Sequence, residues 1–168
     1  MAFYIWIYAA WFGCLVLARY GWGDFSLAFP ILSWAFLASL RRLDPRTVVK
    51  VVSLCLVGIA FDATSQALGW IRIEPAPQQG LPLWMYSLWF LFGASLPDLE
   101  AVFGPRLFVG ALASAVLGPY SYKAGEKFEI LYMTSFDVNF IYAAFWALYF
   151  PSAMLWLKPS PKLPHSNK

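Results

Sequence analysis

A carboxylate interrupts the third long apolar run of the sequence, in the stretch IAFDATSQALGWI at residues 59–71. An unpaired carboxylate in hydrocarbon costs about 2.5–3.5 kcal/mol on insertion scales, so Asp62 should have a partner or a function. Gln66 lies one helical turn further on, and Ser65 widens the same polar stripe. The alternatives for Asp62 are proton transfer, contact with a polar group of a ligand, and a structural hydrogen bond between helices.

Other charged residues are expected at the same depth as Asp62. Asp137 begins the apolar part of the last run, while Lys123 and Glu126 follow the fifth run. We therefore predict an acid–base or ion-pair cluster in which Asp62 and Asp137 are the candidate catalytic groups. For Lys123 and Glu126, the alternative is a solvated salt bridge that anchors helix ends.

Aromatic side chains near these charges are candidates for an acyl-binding channel. Trp84 and Trp89 belong to the fourth run, and Tyr122 ends the fifth. For either tryptophan the alternative is a packing or lipid-facing role. The predicted substrate-binding residues are therefore Gln66, Trp84, Trp89, Tyr122 and Lys123.

We expect no metal and no cofactor. The single histidine, His165, lies in a polar tail, and Cys14 and Cys55 fall inside apolar runs. This excludes a His-dependent triad and a multi-His iron site. The sequence also lacks a glycine-rich phosphate loop and a G-x-S-x-G motif.

The composition indicates an integral membrane protein. Of the 168 residues, 61% are hydrophobic and only 12% are charged, whereas soluble domains carry about 25% charge. Since a spanning helix needs about 20 residues, the chain has room for at most about six or seven spans.

We predict an all-α, polytopic membrane helical bundle of six spans, with one transmembrane domain at 1–157 and a disordered cytoplasmic tail at 158–168. After the fourth span, Pro97 should open a short interfacial helix. The six spans follow the apolar runs Ala2–Ala18, Phe25–Leu40, Val48–Trp70, Leu83–Leu96, Leu107–Tyr122 and Ile130–Leu157.

The distribution of lysine and arginine predicts that both termini are cytoplasmic. Eight basic residues fall on the side of the termini and four on the other side. One cytoplasmic loop is strongly basic and is the predicted contact for a peripheral enzyme; it contains Arg41, Arg42, Arg46 and Lys50. We expect no nucleic-acid partner.

Small residues recur at four-residue intervals in the fifth run, at Gly110, Ser114 and Gly118. Such a stripe lets helices approach closely, either within the chain or between copies of a homo-oligomer. The tetrapeptides AFDA and SFDV, in spans three and six, would match in an inverted repeat, but they lie at the same depth. We therefore interpret that match as chance.

Three blocks of the sequence resemble a family of bacterial inner-membrane proteins called domain of unknown function 2878. The blocks are FDATSQALGW, PLWMYSLWFLFGASL and GALASAVLGPYSYKAGEKF. The resemblance covers about residues 48–128 and departs from the family at Leu96-Pro97-Asp98. The positions that carry it are Asp62, Gly69, Pro82, Trp84, Leu88, Trp89, Gly118, Pro119, Tyr122 and Gly125.

The resemblance implies a role in membrane-lipid metabolism, near enzymes that modify acyl chains. Our leading hypothesis is a small inner-membrane protein that binds or modifies a phospholipid or fatty-acyl group, with membrane lipids as partners. The alternatives are a non-enzymatic anchor for a peripheral acyl-modifying enzyme and a small proton-linked transporter.

Overall fold

The computed structural model describes residues 2–41, 44–76 and 80–158. Arg42 and residues 159–168 of the predicted disordered tail 158–168, with His165, lie outside the described residues. The described chain forms six α-helices, two short 3-10 turns at Gly23–Leu27 and Gly104–Arg106, and two short strands. The helices are α1 Ala2–Arg19, α2 Ala28–Arg41, α3 Pro45–Ala67, α4 Leu83–Phe103, α5 Leu107–Lys127 and α6 Phe136–Leu157.

Three helical stretches are long and apolar enough to cross a membrane: Pro45–Ala67, Leu83–Lys127 and Phe136–Leu157. The second has 45 residues and contains both α4 and α5. Trp89 of α4 and Tyr122 of α5 both contact Asp62, yet they would lie about 50 Å apart in a straight helix. The chain therefore reverses direction at the 3-10 turn Gly104–Arg106.

Local chemistry explains where α3 begins, whereas α4 does not end at its proline. Asp44 caps α3 by accepting from the backbone N–H of Thr47 at 3.3 Å, and Pro45 occupies the first turn, where its missing N–H is not needed. Pro97 does not begin a separate helix, because α4 continues through it to Phe103. The prediction of a short interfacial helix is wrong, since a membrane helix can tolerate the loss of one backbone hydrogen bond.

The residues that follow α3 and those that follow α5 pair in a two-stranded antiparallel sheet. The strands are β1 Ile71–Ile73 and β2 Leu131–Met133. The sequence predicts a loop at β1 and the start of the last span at β2. The partners across the sheet are Ile71 with Met133, Arg72 with Tyr132 and Ile73 with Leu131.

The same type of helix cap leads into each strand. Gly69 after α3 has φ 71°, and Glu129 after α5 has φ 57°. The residue after Gly69 donates its N–H to the Ser65 carbonyl at 2.8 Å, and the residue after Glu129 donates to the Gly125 carbonyl at 3.1 Å. Both are Schellman caps, in which a residue with a left-handed backbone conformation ends the helix and turns the chain.

These elements form an internal repeat. We call α3–β1–α4 the first repeat and α5–β2–α6 the second repeat. Equivalent positions of α3–β1 and α5–β2 lie 60 residues apart, the spacing of Asp62 and Tyr122. The central pair of the sheet, Arg72 and Tyr132, has the same spacing. Equivalent residues therefore face each other, as an approximate two-fold axis along the bundle requires.

The first two helices pack on one side of this repeated core, mainly against α4. Ser26 and Ser87 share a buried hydrogen bond of 2.9 Å that links the first 3-10 turn to α4. Trp34 of α2 donates its indole N–H to the carbonyl of Phe90 at 3.0 Å. Because the described part of the chain contains no counterpart of α1 and α2 beside α6, the environments of the two repeats differ.

Candidate functional site

Asp62 is the centre of a buried hydrogen-bond network that joins α3, α4, α5 and α6. The residue is 1% exposed, and its Oδ2 accepts from the indole N–H of Trp89 at 2.7 Å. Its Oδ1 accepts from the Tyr122 hydroxyl at 2.7 Å and, more weakly, from the Tyr142 hydroxyl at 3.5 Å. Both oxygens of the carboxylate thus have donors from other helices, which offsets the unfavourable burial.

Two tryptophans stack beside this network, one from each repeat. The rings of Trp89 and Trp146 lie 5.5 Å apart at 7°. A Cβ on Gly58 would lie 2.2 Å from the Trp89 ring, and a Cβ on Gly118 would lie 2.2 Å from the Trp146 ring. Each tryptophan therefore packs directly on a glycine of the helix that precedes it.

The backbones of the two tryptophans are also held in matching ways. The carbonyl of Trp89 accepts from the Cys55 thiol at 3.3 Å, and the carbonyl of Trp146 accepts from the Ser114 hydroxyl at 2.9 Å. Cys55 precedes Gly58 by about one helical turn, as Ser114 precedes Gly118. The glycine–tryptophan contact is therefore a repeated structural unit.

An apolar cavity of about 520 Å³ lies between α4 and α5 and extends along α1. Its volume is in the range of sites for drug-sized ligands, about 300–1,000 Å³, and such sites are mostly apolar with a few polar groups. Its polar lining comes from Asp62 and from serine and tyrosine hydroxyls. Among the lining residues are Trp11, Trp84, Trp89, Phe92, Ser114, Ser121, Tyr122 and Trp146.

Three predicted substrate-binding residues border this cavity: Trp84, Trp89 and Tyr122. Trp89 and Tyr122 do so while donating to Asp62. Trp84 is buried near the start of α4, whereas Gln66 is half-buried near the end of α3.

The three charged residues predicted to cluster with Asp62 are not among its hydrogen-bond partners. Lys123 forms a salt bridge with Glu126 at 3.0 Å, and Glu126 also accepts from the backbone N–H of Met133 at 3.1 Å. Asp137 is exposed in the first turn of α6. The structure thus brings Asp62 together with aromatic donors, and the roles predicted for Asp137 and Lys123 stay predictions.

Sequence reasoning missed Tyr142 and Trp146, which complete the network and the tryptophan stack. Both lie in α6, where aromatic residues are too frequent for any one of them to attract notice. A usable signal was present, because Pro45-Arg46 and Pro105-Arg106, like Gly58 and Gly118, share the spacing of 60 residues. That spacing indicates a repeat of 60 residues with a glycine at the same position in each half.

The small-residue stripe of α5 packs within the chain. A Cβ on Gly110 would lie 2.9 Å from Phe150 of α6, and Gly118 contacts Trp146 of the same helix. These contacts agree with the intramolecular alternative, and the homo-oligomer stays a prediction. Within residues 2–41, 44–76 and 80–158, no three His, Cys, Asp or Glu side chains lie together as a metal site would require.

The fold and the site define a helical membrane protein with a buried, hydrogen-bonded carboxylate beside an apolar cavity. The chain belongs to the family described as protein of unknown function (DUF2878), whose profile matches residues 1–152. This confirms the family suggested by the sequence blocks around Asp62, Trp89 and Tyr122. Comparisons with curated proteins and with solved structures gave no match.

Proposed function

We propose that this protein binds a fatty-acyl group of a membrane lipid in the cavity between α4 and α5. The observation that carries the proposal is the cavity itself, which is about 520 Å³ in volume and lined mainly by apolar side chains. A hydrocarbon chain suits such a lining, because an apolar site gives a polar ligand few partners. The few polar groups at the wall would hold the oxygen-bearing end of the ligand.

In this proposal Asp62 fixes the geometry of the cavity wall. Its two oxygens hold the Trp89 indole and the Tyr122 hydroxyl at 2.7 Å each, and both side chains border the cavity. Side chains held by buried hydrogen bonds lose little freedom when a ligand binds, which favours affinity. Catalytic roles for Asp62 and Asp137 stay predictions.

We further propose six spans in a bacterial inner membrane, with both termini in the cytoplasm. The end of α1 and the end of α5 lie together, because Arg19 forms an ion pair with Glu129. Arg72 packs over the ring of Tyr132 at the same end of the bundle. This grouping supports placing the less basic loops together on the side of the membrane opposite the cytoplasm. The basic loop then lies on the cytoplasmic side.

The test is native mass spectrometry of the protein extracted with its lipids, compared with a variant whose cavity is filled. Ala113→Phe adds a ring to a residue of the cavity wall. Val116→Phe is the control, because Val116 is on the same helix, is 69% exposed and does not line the cavity. All three proteins should have similar unfolding midpoints.

Wild type and Val116→Phe should keep an acyl lipid through collisional activation that strips bulk lipid, whereas Ala113→Phe should lose it. Equal retention by all three would contradict the cavity as the site. In that case, the basic loop would be tested next as the contact for a peripheral enzyme. Arg46 of that loop is exposed, and Lys50 lies 5.8 Å from the ring of Trp156.

A further inference from the structure

One buried polar atom remains without a partner at the cavity wall. Trp146 is 9% exposed, and its indole Nε1 has no hydrogen-bond partner among the described residues. A buried donor without an acceptor is unfavourable, and native structures contain few of them. The indole N–H of Trp146 therefore needs an explanation.

The internal repeat shows how this donor loses its acceptor. In the first repeat, the indole N–H of Trp89 donates to Asp62, which follows Gly58 by about one helical turn. The position equivalent to Asp62 in the second repeat is Tyr122. Tyr122 has no carboxylate, and its hydroxyl donates to Asp62. The second repeat therefore has the tryptophan but lacks an acceptor for its indole N–H.

The unpaired N–H belongs to a side chain of the cavity wall. The nitrogen itself is covered, so an acceptor in the cavity reaches it only when a neighbouring side chain of the wall moves. Trp146, Gly118 and Ser114 all border the cavity. Cδ1 and Cγ of Trp146 would both lie 2.2 Å from a Cβ on Gly118, and Nε1 is bonded to Cδ1. The Ser114 hydroxyl, which donates to the Trp146 carbonyl, offers an oxygen lone pair on the same wall.

The depth of this donor restricts what can satisfy it. Trp146 is near the middle of α6, about 15 Å along the axis from Phe136. The helix Phe136–Leu157 is one of the candidate membrane spans, so the surrounding lipid supplies no water as acceptor. The mainly apolar lining of the cavity disfavours water there as well. A phospholipid ester at this depth would draw its charged headgroup into the bundle, which is strongly unfavourable.

The lining also restricts the charge of the ligand. None of the described residues that line the cavity is a lysine or an arginine. An ionised carboxylate beside Trp146 would therefore lack a counter-ion and would face the acidic side chain of Asp62. The acceptor that fits is a neutral carbonyl oxygen.

We propose that the indole N–H of Trp146 donates to the neutral carbonyl oxygen of a single-chain acyl molecule, either a protonated fatty acid or a fatty ester, whose hydrocarbon chain fills the cavity. This inference rests on the proposed function and names the substrate class of the same site. It assigns Trp146 as a ligand-binding residue, supported by Ser114, whose oxygen can accept from the O–H of a fatty acid.

The first experiment uses two uncharged probes that differ in the carbonyl group. Methyl oleate carries the acceptor, and oleyl methyl ether lacks it. With indole-¹⁵N-labelled protein in micelles, methyl oleate should move the Trp146 indole proton signal downfield, and the ether should not. The Trp89 signal should stay in place, because its N–H already donates to Asp62. Trp146→Phe assigns the signal by removing it.

The second experiment measures affinity for the same probes. Wild type should bind methyl oleate about fivefold more tightly than the ether, as one neutral hydrogen bond predicts. The ratio should fall to about one in Trp146→Phe. It should be kept in Trp156→Phe, because Trp156 is 57% exposed on the same helix and does not line this cavity.

Oleic acid and dioleoyl phosphatidylethanolamine complete the series and identify the source of the carbonyl. The acid should bind as methyl oleate does. An equal signal shift with the phospholipid would overturn the single-chain assignment. If both uncharged probes bind equally and the Trp146 signal does not move, this inference fails while the proposed function stands. If no acyl probe binds, both fail.

Discussion

Replacing Asp62 by leucine removes the acceptor of three hydrogen bonds at once. The Trp89 indole and the Tyr122 hydroxyl lie 2.7 Å from the carboxylate, and the Tyr142 hydroxyl lies at 3.5 Å. Side-chain hydrogen bonds within membrane bundles average about 0.6 kcal/mol and reach about 1.7 kcal/mol. The expected loss in the free energy of unfolding is therefore about 2 kcal/mol, with an upper bound of about 5 kcal/mol.

Asp62→Asn should be much milder, with a loss below about 1 kcal/mol. The amide oxygen can accept from Trp89, whose indole N–H is a donor only. The amide N–H₂ would then face Tyr122, whose hydroxyl can turn and accept. Leucine offers neither group and has the same number of side-chain heavy atoms as asparagine, so the difference between the two variants mainly measures hydrogen bonding.

The assay is reversible unfolding in mixed micelles, followed by tryptophan fluorescence and circular dichroism. Asp137→Asn is the control, because Asp137 is exposed and its replacement should stay within about 0.5 kcal/mol of wild type. A double-mutant cycle with Trp89→Phe should show coupling to Asp62→Leu. If Asp62→Leu is as stable as wild type, or the cycle is additive, the network does not stabilise the fold.

Four further predictions concern two glycines, the cysteines and the orientation of the chain. Gly118→Ala should lower the free energy of unfolding by about 1–3 kcal/mol, because the new methyl group would overlap Trp146. Gly104→Ala is the control in the same unfolding assay. It should be nearly neutral, because its methyl group meets only the flexible end of Glu100. Gly69→Ala should cost about 1 kcal/mol in that assay, since φ is 71° there; a neutral result would contradict the cap. Cys14 and Cys55, both 0% exposed, should react with N-ethylmaleimide, detected by mass spectrometry, only after unfolding. Reporter fusions at both termini should report the cytoplasm, and a periplasmic signal at either end would contradict the proposed orientation.

The helical bundle could be predicted because hydropathy acts locally. Each helix overlaps the apolar run that predicted it, since a run of apolar residues has to bury its own backbone groups in a helix. The predicted third run reached Trp70 and the last began at Ile130. The structure instead ends α3 at Ala67 and begins α6 at Phe136, because apolar strand residues at the ends of these runs have the same hydropathy as helix residues.

Few pairs of the internal repeat keep the same residue type, as Gly58 and Gly118 do. The position of Asp62 in the first repeat is occupied by Tyr122 in the second, and that of Gly69 by Glu129. Such pairs share a backbone geometry and a place beside the axis while differing in chemistry. The comparison of AFDA with SFDV sought chemical identity at a single residue, and it therefore aligned the wrong segments.

The sequence by itself determined that the chain is a bundle of apolar helices, that it belongs to its family, and that Asp62 requires partners. Those properties depend on composition, on periodicity and on the free energy of burying a charge. Each of these can be evaluated from one segment of the sequence without the rest of the fold. Only the tertiary structure decided that the partners are Trp89, Tyr122 and Tyr142, and that Lys123 pairs with Glu126. It also decided which indole N–H is left unpaired at a cavity. The physical reason is that a hydrogen bond requires two atoms within about 3 Å, and that distance depends on how helices far apart in the chain are packed.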